Sequence, residues 1–197
     1  MHKGRLEAFS DGVLAIVITI MVLEIKVPHG HGLNDLLPLV PKLVGYVLSF
    51  IYVGIYWNNH HHLFQAAKHV DGRVLWANLF TLFWLSLLPV ATGWLSEAHF
   101  VAIWPAILYG VLLLGAGFGY SLVVRSLLRL HGNDSVLATA LGRDVKGYVS
   151  LALYTVAIGI SAMGLPVVGV GIYGLVALFW LVPDQRIEKR LKQIGLE

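Results

Sequence analysis

The sequence predicts an all-α membrane protein with six transmembrane helices, and three observations carry that reading. Hydrophobic residues make up 57% of the 197 residues and charged residues only 13%, whereas soluble domains carry about a quarter charged residues. Mean hydropathy is +0.76. The scarce charge sits in short clusters between apolar runs about as long as the ~20 residues that span a bilayer.

Taken in order, the spans are expected at residues 8–27, 38–64, 74–95, 100–124, 145–164 and 166–183. The first run follows a basic start, Met1 to Arg5, as a signal peptide would. It ends at Glu24, Lys26 and Pro28 with no small-residue cleavage pattern, so it is read as a retained helix. Between the first two spans, His29-Gly30-His31-Gly32 and Asn34-Asp35 make a polar loop. In the third, Ser86-Leu87-Leu88-Pro89 predicts a kink, because proline lacks an N–H and crowds the carbonyl four residues back. Gly110, Gly115, Gly117 and Gly119 in the fourth predict close helix packing. Arg129 to Asp144 is the longest polar stretch. The last two spans are separated by Met163-Gly164-Leu165-Pro166, read as a tight turn rather than a kink in one long helix. Residues 1–183 form one transmembrane domain. Residues 184–197, with Arg186, Lys189, Arg190 and Lys192, form a short basic tail suited to anionic headgroups.

Six spans put both termini on one side. That side collects Lys3, Arg5, Lys68, Arg73, Arg125, Arg129, Arg143, Lys146, Arg186, Lys189, Arg190 and Lys192, and the other only Lys26 and Lys42, which accounts for all 14 Lys and Arg. The positive-inside rule makes the basic side cytoplasmic.

Several chemistries are excluded. There is no cysteine, hence no disulfide, thiolate metal site or cysteine nucleophile. No nucleophile elbow, paired carboxylates or phosphate-cradling loop occurs, so no enzyme and no cofactor is expected. No basic surface interleaved with aromatics offers a nucleic-acid site. His60-His61-His62 are consecutive, and helical side chains step by about 100°, so one helix cannot aim all three at one ion. No metal site is predicted there.

Polar residues within a span are functional candidates by default. At helical spacing Phe9, Gly12, Ile16, Ile20 and Leu23 share one face of the first helix, with Thr19 on its flank. Ser10 and Asp11 point away, toward neighbouring helices, where a buried carboxylate needs a partner. Arg5, Ser10, Asp11, His60, His61 and Asn78 are therefore expected to form a polar network holding the first three helices together.

The segment Arg5-Leu6-Glu7-Ala8-Phe9-Ser10-Asp11-Gly12, with an Arg four residues before Phe-Ser-Asp at the start of a first helix, closely resembles the signature of the endolysosomal potassium channel family and its bacterial homologues. The resemblance continues in Tyr56-Trp57-Asn58-Asn59-His60-His61 and in Asn78 to Pro89. It covers the first three helices well and the rest by hydropathy. It implies a potassium-selective channel. With one six-helix unit per chain, it implies a homotetramer whose first helices line a central pore. Aliphatic rings at Ile16, Ile20 and Leu23 would be both filter and gate, with Thr19 as an oxygen ring beside them. Potassium would be permeant rather than cofactor, and the partners are the bilayer and further copies of the chain. The potassium-channel filter sequence Thr-Val-Gly-Tyr-Gly is absent, so selection must use another device. Two rival readings are a proton-coupled secondary transporter, in which Asp11 and the histidines bind the proton, and a membrane assembly protein without transport.

Overall fold

The computed structural model describes residues 3–132 and 144–181. The basic tail beyond Leu181, and residues 133–143 of the polar stretch from Arg129 to Asp144, lie outside the described residues. The described chain is helical throughout: α1 Gly4–Leu23, a 3-10 helix Leu33–Leu39, α2 Val40–Ala66, α3 Gly72–Ser86, α4 Leu88–Glu97, α5 Ile103–His131, α6 Val145–Ala162 and α7 Pro166–Leu181. Among the described residues, Gly4–Leu23, Leu33–Ala66, Gly72–Glu97, Ile103–His131 and Val145–Ala162 are long and apolar enough to cross a membrane, and Pro166–Leu181 is a shorter apolar helix of 16 residues.

Local chemistry sets the boundaries. Asp71 caps α3 by accepting from the Val74 amide at 3.0 Å, and Asp144 caps α6 through the Gly147 amide at 2.9 Å. Both carboxylates satisfy amides that the first helical turn leaves unpaired. Leu87 interrupts the third span as expected. Pro89, at the start of α4, can neither donate nor tolerate the Leu85 carbonyl, so the segment divides into α3 and α4. The turn at Gly164 is also as expected. Gly164 has φ +91°, its amide bonds to Ser161 O at 3.1 Å, and the Leu165 amide bonds to Ile160 O at 3.2 Å. These two bonds make a Schellman stop. Pro166 then opens α7 in the reverse direction.

Some boundaries differ from expectation. α1 starts at Gly4 and stops at Leu23, four residues earlier at each end than the expected span; at its start Arg5 and Glu7 continue the helix into polar surroundings. α5 runs on past residue 124 to His131. The second span is preceded by the 3-10 helix Leu33–Leu39.

α1 packs on α2, α3 and α4. α5 lies most extensively against α3 and also contacts α4, α6 and α7, and α6 pairs with α7. One core joins Leu14, Val17 and Met21 of α1 to Tyr52, Leu85, Leu95, Tyr109, Leu113, Tyr154 and Tyr173. A second, nearer the start of α1, joins Leu6 to Phe64, Val74, Val123 and Leu127. The α3–α5 seam is close because α5 presents glycine. A Cβ at Gly119 would stand 2.7 Å from Thr81 Oγ1 and 3.0 Å from Thr81 Cα, and one at Gly115 would enter the Trp84 indole.

The spans alternate in direction, with α3 and α4 together making one of them. Lys3, before α1, bonds to Phe64 O and Gln65 O at the end of α2. The Lys68 amide bonds to His131 Nε2 at the end of α5 at 3.1 Å, and Arg125 bonds to Tyr148 at the start of α6 at 3.1 Å. Trp180, near the end of α7, reaches Ser150 at 2.8 Å. Lys3, Arg5, Lys68, Arg73, Arg125, Arg129 and Lys146 therefore share one end of the bundle. Lys26 and Lys42 lie at the other.

Candidate conduction face and its polar support

α1 is apolar nearly all round, yet its own chain covers only one face, through Leu6, Ser10, Leu14, Val17 and Met21. The opposite arc is bare. Ile16 is 58% exposed, Ile20 45% and Leu23 78%, with Phe9, Gly12 and Thr19 also exposed. The aliphatic stripe read from helical spacing is thus a surface of the single chain. The Thr19 hydroxyl donates back to Ala15 O at 3.1 Å or Ile16 O at 3.0 Å. Its oxygen keeps acceptor capacity on an exposed side chain.

Behind this face stands a three-helix hydrogen-bond chain. Ser10 is fully buried; its hydroxyl donates to Leu6 O at 2.8 Å and accepts from Asn78 Nδ2 at 2.9 Å. Because the Asn78 amide nitrogen is the donor there, its Oδ1 is the acceptor for His60 Nε2 at 3.0 Å, which fixes the imidazole as the Nε2–H form. The His60 ring lies 4.4 Å from the Phe64 ring. One residue each from α1, α2 and α3 therefore satisfies the others, and none of the three is left unpaired in a low-dielectric interior.

The rest of the expected network is arranged differently. Asp11 is exposed at the edge of the bare arc rather than buried, and its Oδ1 accepts from Trp57 Nε1 at 3.0 Å. Trp57 was visible only as part of a motif. Its indole N–H is the partner that Asp11 required, and it links α1 to α2 near the polar chain. Arg5 is exposed and makes no hydrogen bond or ion pair among the described residues, so it does not partner Asp11. Its side chain leaves the helix into the polar zone. His61 is exposed as well. It stacks on Trp57, with centroids 6.2 Å apart and planes at 23°, and meets His62 edge-on. The three histidines diverge as their 100° steps require, and among the described residues no group of three metal-ligating side chains converges.

At the Leu23 end of α1 a cavity of about 360 Å³ is lined by Ile20, Glu24, Lys42, Trp94, Ser96 and Glu97, among others. Lys42 Nζ faces Glu97 Oε2 across it at 4.0 Å.

A helical bundle with several bilayer-length apolar helices is a multi-pass membrane protein. Within that class, residues 5–89 match the family model for the endosomal/lysosomal potassium channel TMEM175. These bounds run from Arg5 to Pro89, the same stretch over which the sequence resemblance was read. A potassium channel of Chryseobacterium sp. (strain P1-3) is 52% identical over 98% of this chain and 100% of its own length. A potassium channel of Streptomyces collinus is 31% identical over 91% of both chains. The crystal structure of a lysosomal potassium-selective channel TMEM175 homolog from Chamaesiphon minutus superposes with a TM-score of 0.76 at 28% identity, covering 91% of this chain and 96% of that one. In Gallus gallus, the endosomal/lysosomal proton channel TMEM175 is 35% identical over 49% of this chain but only 22% of its own length. The chain belongs to the TMEM175 family.

Proposed function

We propose that this chain is a potassium-selective channel of the bacterial plasma membrane, built from four copies with α1 lining the central path and the basic end of the bundle in the cytoplasm. The observation that carries the reading is the bare arc of α1. It sets an aliphatic row beside the exposed hydroxyl of Thr19. Hydrocarbon would accept the row but offers nothing to the hydroxyl oxygen. A lumen with water, lined by neighbouring copies, accommodates both. Family membership and the names of the bacterial relatives supply the ion.

In this arrangement Ile16, Ile20 and Leu23 form stacked rings. They rise by about 1.5 Å per residue, so the constriction covers roughly two helical turns. No side-chain oxygen in the rows replaces ion hydration except that of Thr19. Permeation then depends on the cost of passing a partly dehydrated ion between hydrocarbon walls, and potassium sheds water more easily than sodium. The same rings close the path by dewetting. The role is transport, not catalysis.

The test is the reversal potential of purified protein in planar bilayers with potassium on one side and sodium on the other. Unitary currents reversing toward the potassium equilibrium potential are expected. The absence of unitary current, or a reversal near zero, would overturn the reading. The vertebrate relatives are named proton channels, which favours proton permeation as a second reading. It predicts a reversal potential that follows an imposed pH gradient at symmetric potassium.

A further inference from the structure

We propose that Glu24 is a fixed negative charge at the Leu23 mouth of the conduction path, where it concentrates cations and sets conductance at low ionic strength. This rests on the reading of α1 as the pore-lining helix. Glu24 directly follows Leu23, the most exposed residue of the aliphatic row, and its φ of −70° and ψ of −16° continue the helix. At about 100° per residue it stands roughly 40° round from Ile20 and about 20° from Val17, one turn beyond Ile20 at the edge between the bare arc and the covered face. The side chain is exposed and has no hydrogen bond or ion pair among the described residues. It lines the same 360 Å³ cavity as Ile20, so the carboxylate and the ring beside it open onto one space.

The other charges at this end offset it only in part. Glu97 is matched by Lys42 at 4.0 Å. Asp35 is turned onto its own loop, accepting from the Gly32 amide at 2.9 Å, and Lys26 is an exposed cation two residues further along. Three carboxylates against two ammonium groups leave each chain negative there. The last carbonyls of α1 point the same way and add the negative end of the helix dipole. Four copies would bring four such charges round one mouth. Rings of carboxylates raise the local concentration of permeant cations without discriminating between potassium and sodium.

The experiment is single-channel conductance against potassium chloride concentration. Glu24→Gln should lower conductance by roughly two-fold near 20 mM, where charges act over tens of ångströms. It should leave conductance unchanged near 1 M, where the screening length is about 3 Å. The potassium/sodium reversal potential should not move in either case. The cysteine-free sequence permits a second arm on channels already folded. In Glu24→Cys, a negatively charged sulfonate thiol reagent should restore the low-salt conductance and a positively charged ammonium reagent should lower it further. Conductance in Glu24→Gln equal to wild type at every concentration, or indifference of Glu24→Cys to the sign of the reagent, would overturn the proposal while leaving the channel reading intact. Wild-type protein without unitary current would remove the channel reading itself, and this proposal with it.

Discussion

The α1–α3 half and the α5–α7 half of this molecule are held together by different means. In the first, contacts between helices run through specific polar pairs: Ser10 to Asn78, Asn78 to His60, and Asp11 to Trp57. In the second, polar links such as Arg125 to Tyr148 and Trp180 to Ser150 also occur, but the centre is filled by small residues and buried rings. Gly115 and Gly119 admit α3, and Tyr109, Tyr154 and Tyr173 pack against Tyr52 of α2. The family match ends at residue 89, where the polar half ends. Packing by size tolerates many apolar sequences of the right volume, whereas a hydrogen-bonded chain fixes the identity of every member. The polar half is also the half with the bare arc, so the strict residues lie directly behind the surface where function is proposed.

The largest effect is expected from breaking the scaffold half. Gly119→Val places methyl groups into the backbone of Thr81 and should destabilise by about 1–3 kcal/mol or more. Thermal melts in detergent should show a large drop in midpoint and a loss of folded yield. A variant as stable as wild type would show that the α3–α5 seam is looser than described.

Breaking the polar half should cost less in stability. Asn78→Leu removes two interhelical bonds, each worth about 0.6 kcal/mol on average in membranes and at most about 1.7. It also leaves His60 Nε2 without its partner and Ser10 with only its bond to Leu6 O. A fall in melting midpoint smaller than that of Gly119→Val is expected, together with altered gating and unchanged ion selectivity. Selectivity lost at normal stability would mean that the chain of bonds takes part in filtering. Thr19→Ala should be milder still, with wild-type stability and a reduced potassium/sodium preference read from the reversal potential. Arg5→Gln sharpens the contrast from the other side. Exposed substitutions without partners fall within about 0.5 kcal/mol, so its melting midpoint should match wild type.

How much of this was legible in the sequence depends on whether the signal is local. Pro89 and Gly164 announce their breaks through their own backbone chemistry, and both breaks are where they were expected. The stripe of Ile16, Ile20 and Leu23 follows from helical spacing alone. Ser10, His60 and Asn78 could be proposed together because polar groups in a span must find partners, although their pairing order could not. Asp11 shows where this reasoning stops. Helical spacing gives the direction of a side chain about its own axis, but the position of Trp57 depends on how α2 is rotated against α1. Arg5 and His61 were included in the network as polar groups that could partner Asp11 and the neighbouring helices. The fold turns Arg5 out to the exposed end of α1 and turns His61 onto the Trp57 ring. The start of α1 at Gly4 was missed because hydropathy marks the apolar run, while the helix continues through Arg5 and Glu7.

The central claim is that the bare aliphatic face of α1 is the conduction path, and Ile16→Asn tests it most directly. An amide at the middle of the row would bind water and lower the cost of entry for hydrated ions. Single-channel conductance should rise, and the potassium/sodium reversal potential should move toward zero. If both remain at their wild-type values in a stably folded variant, the path does not run along this face, and the aliphatic rings are not the filter.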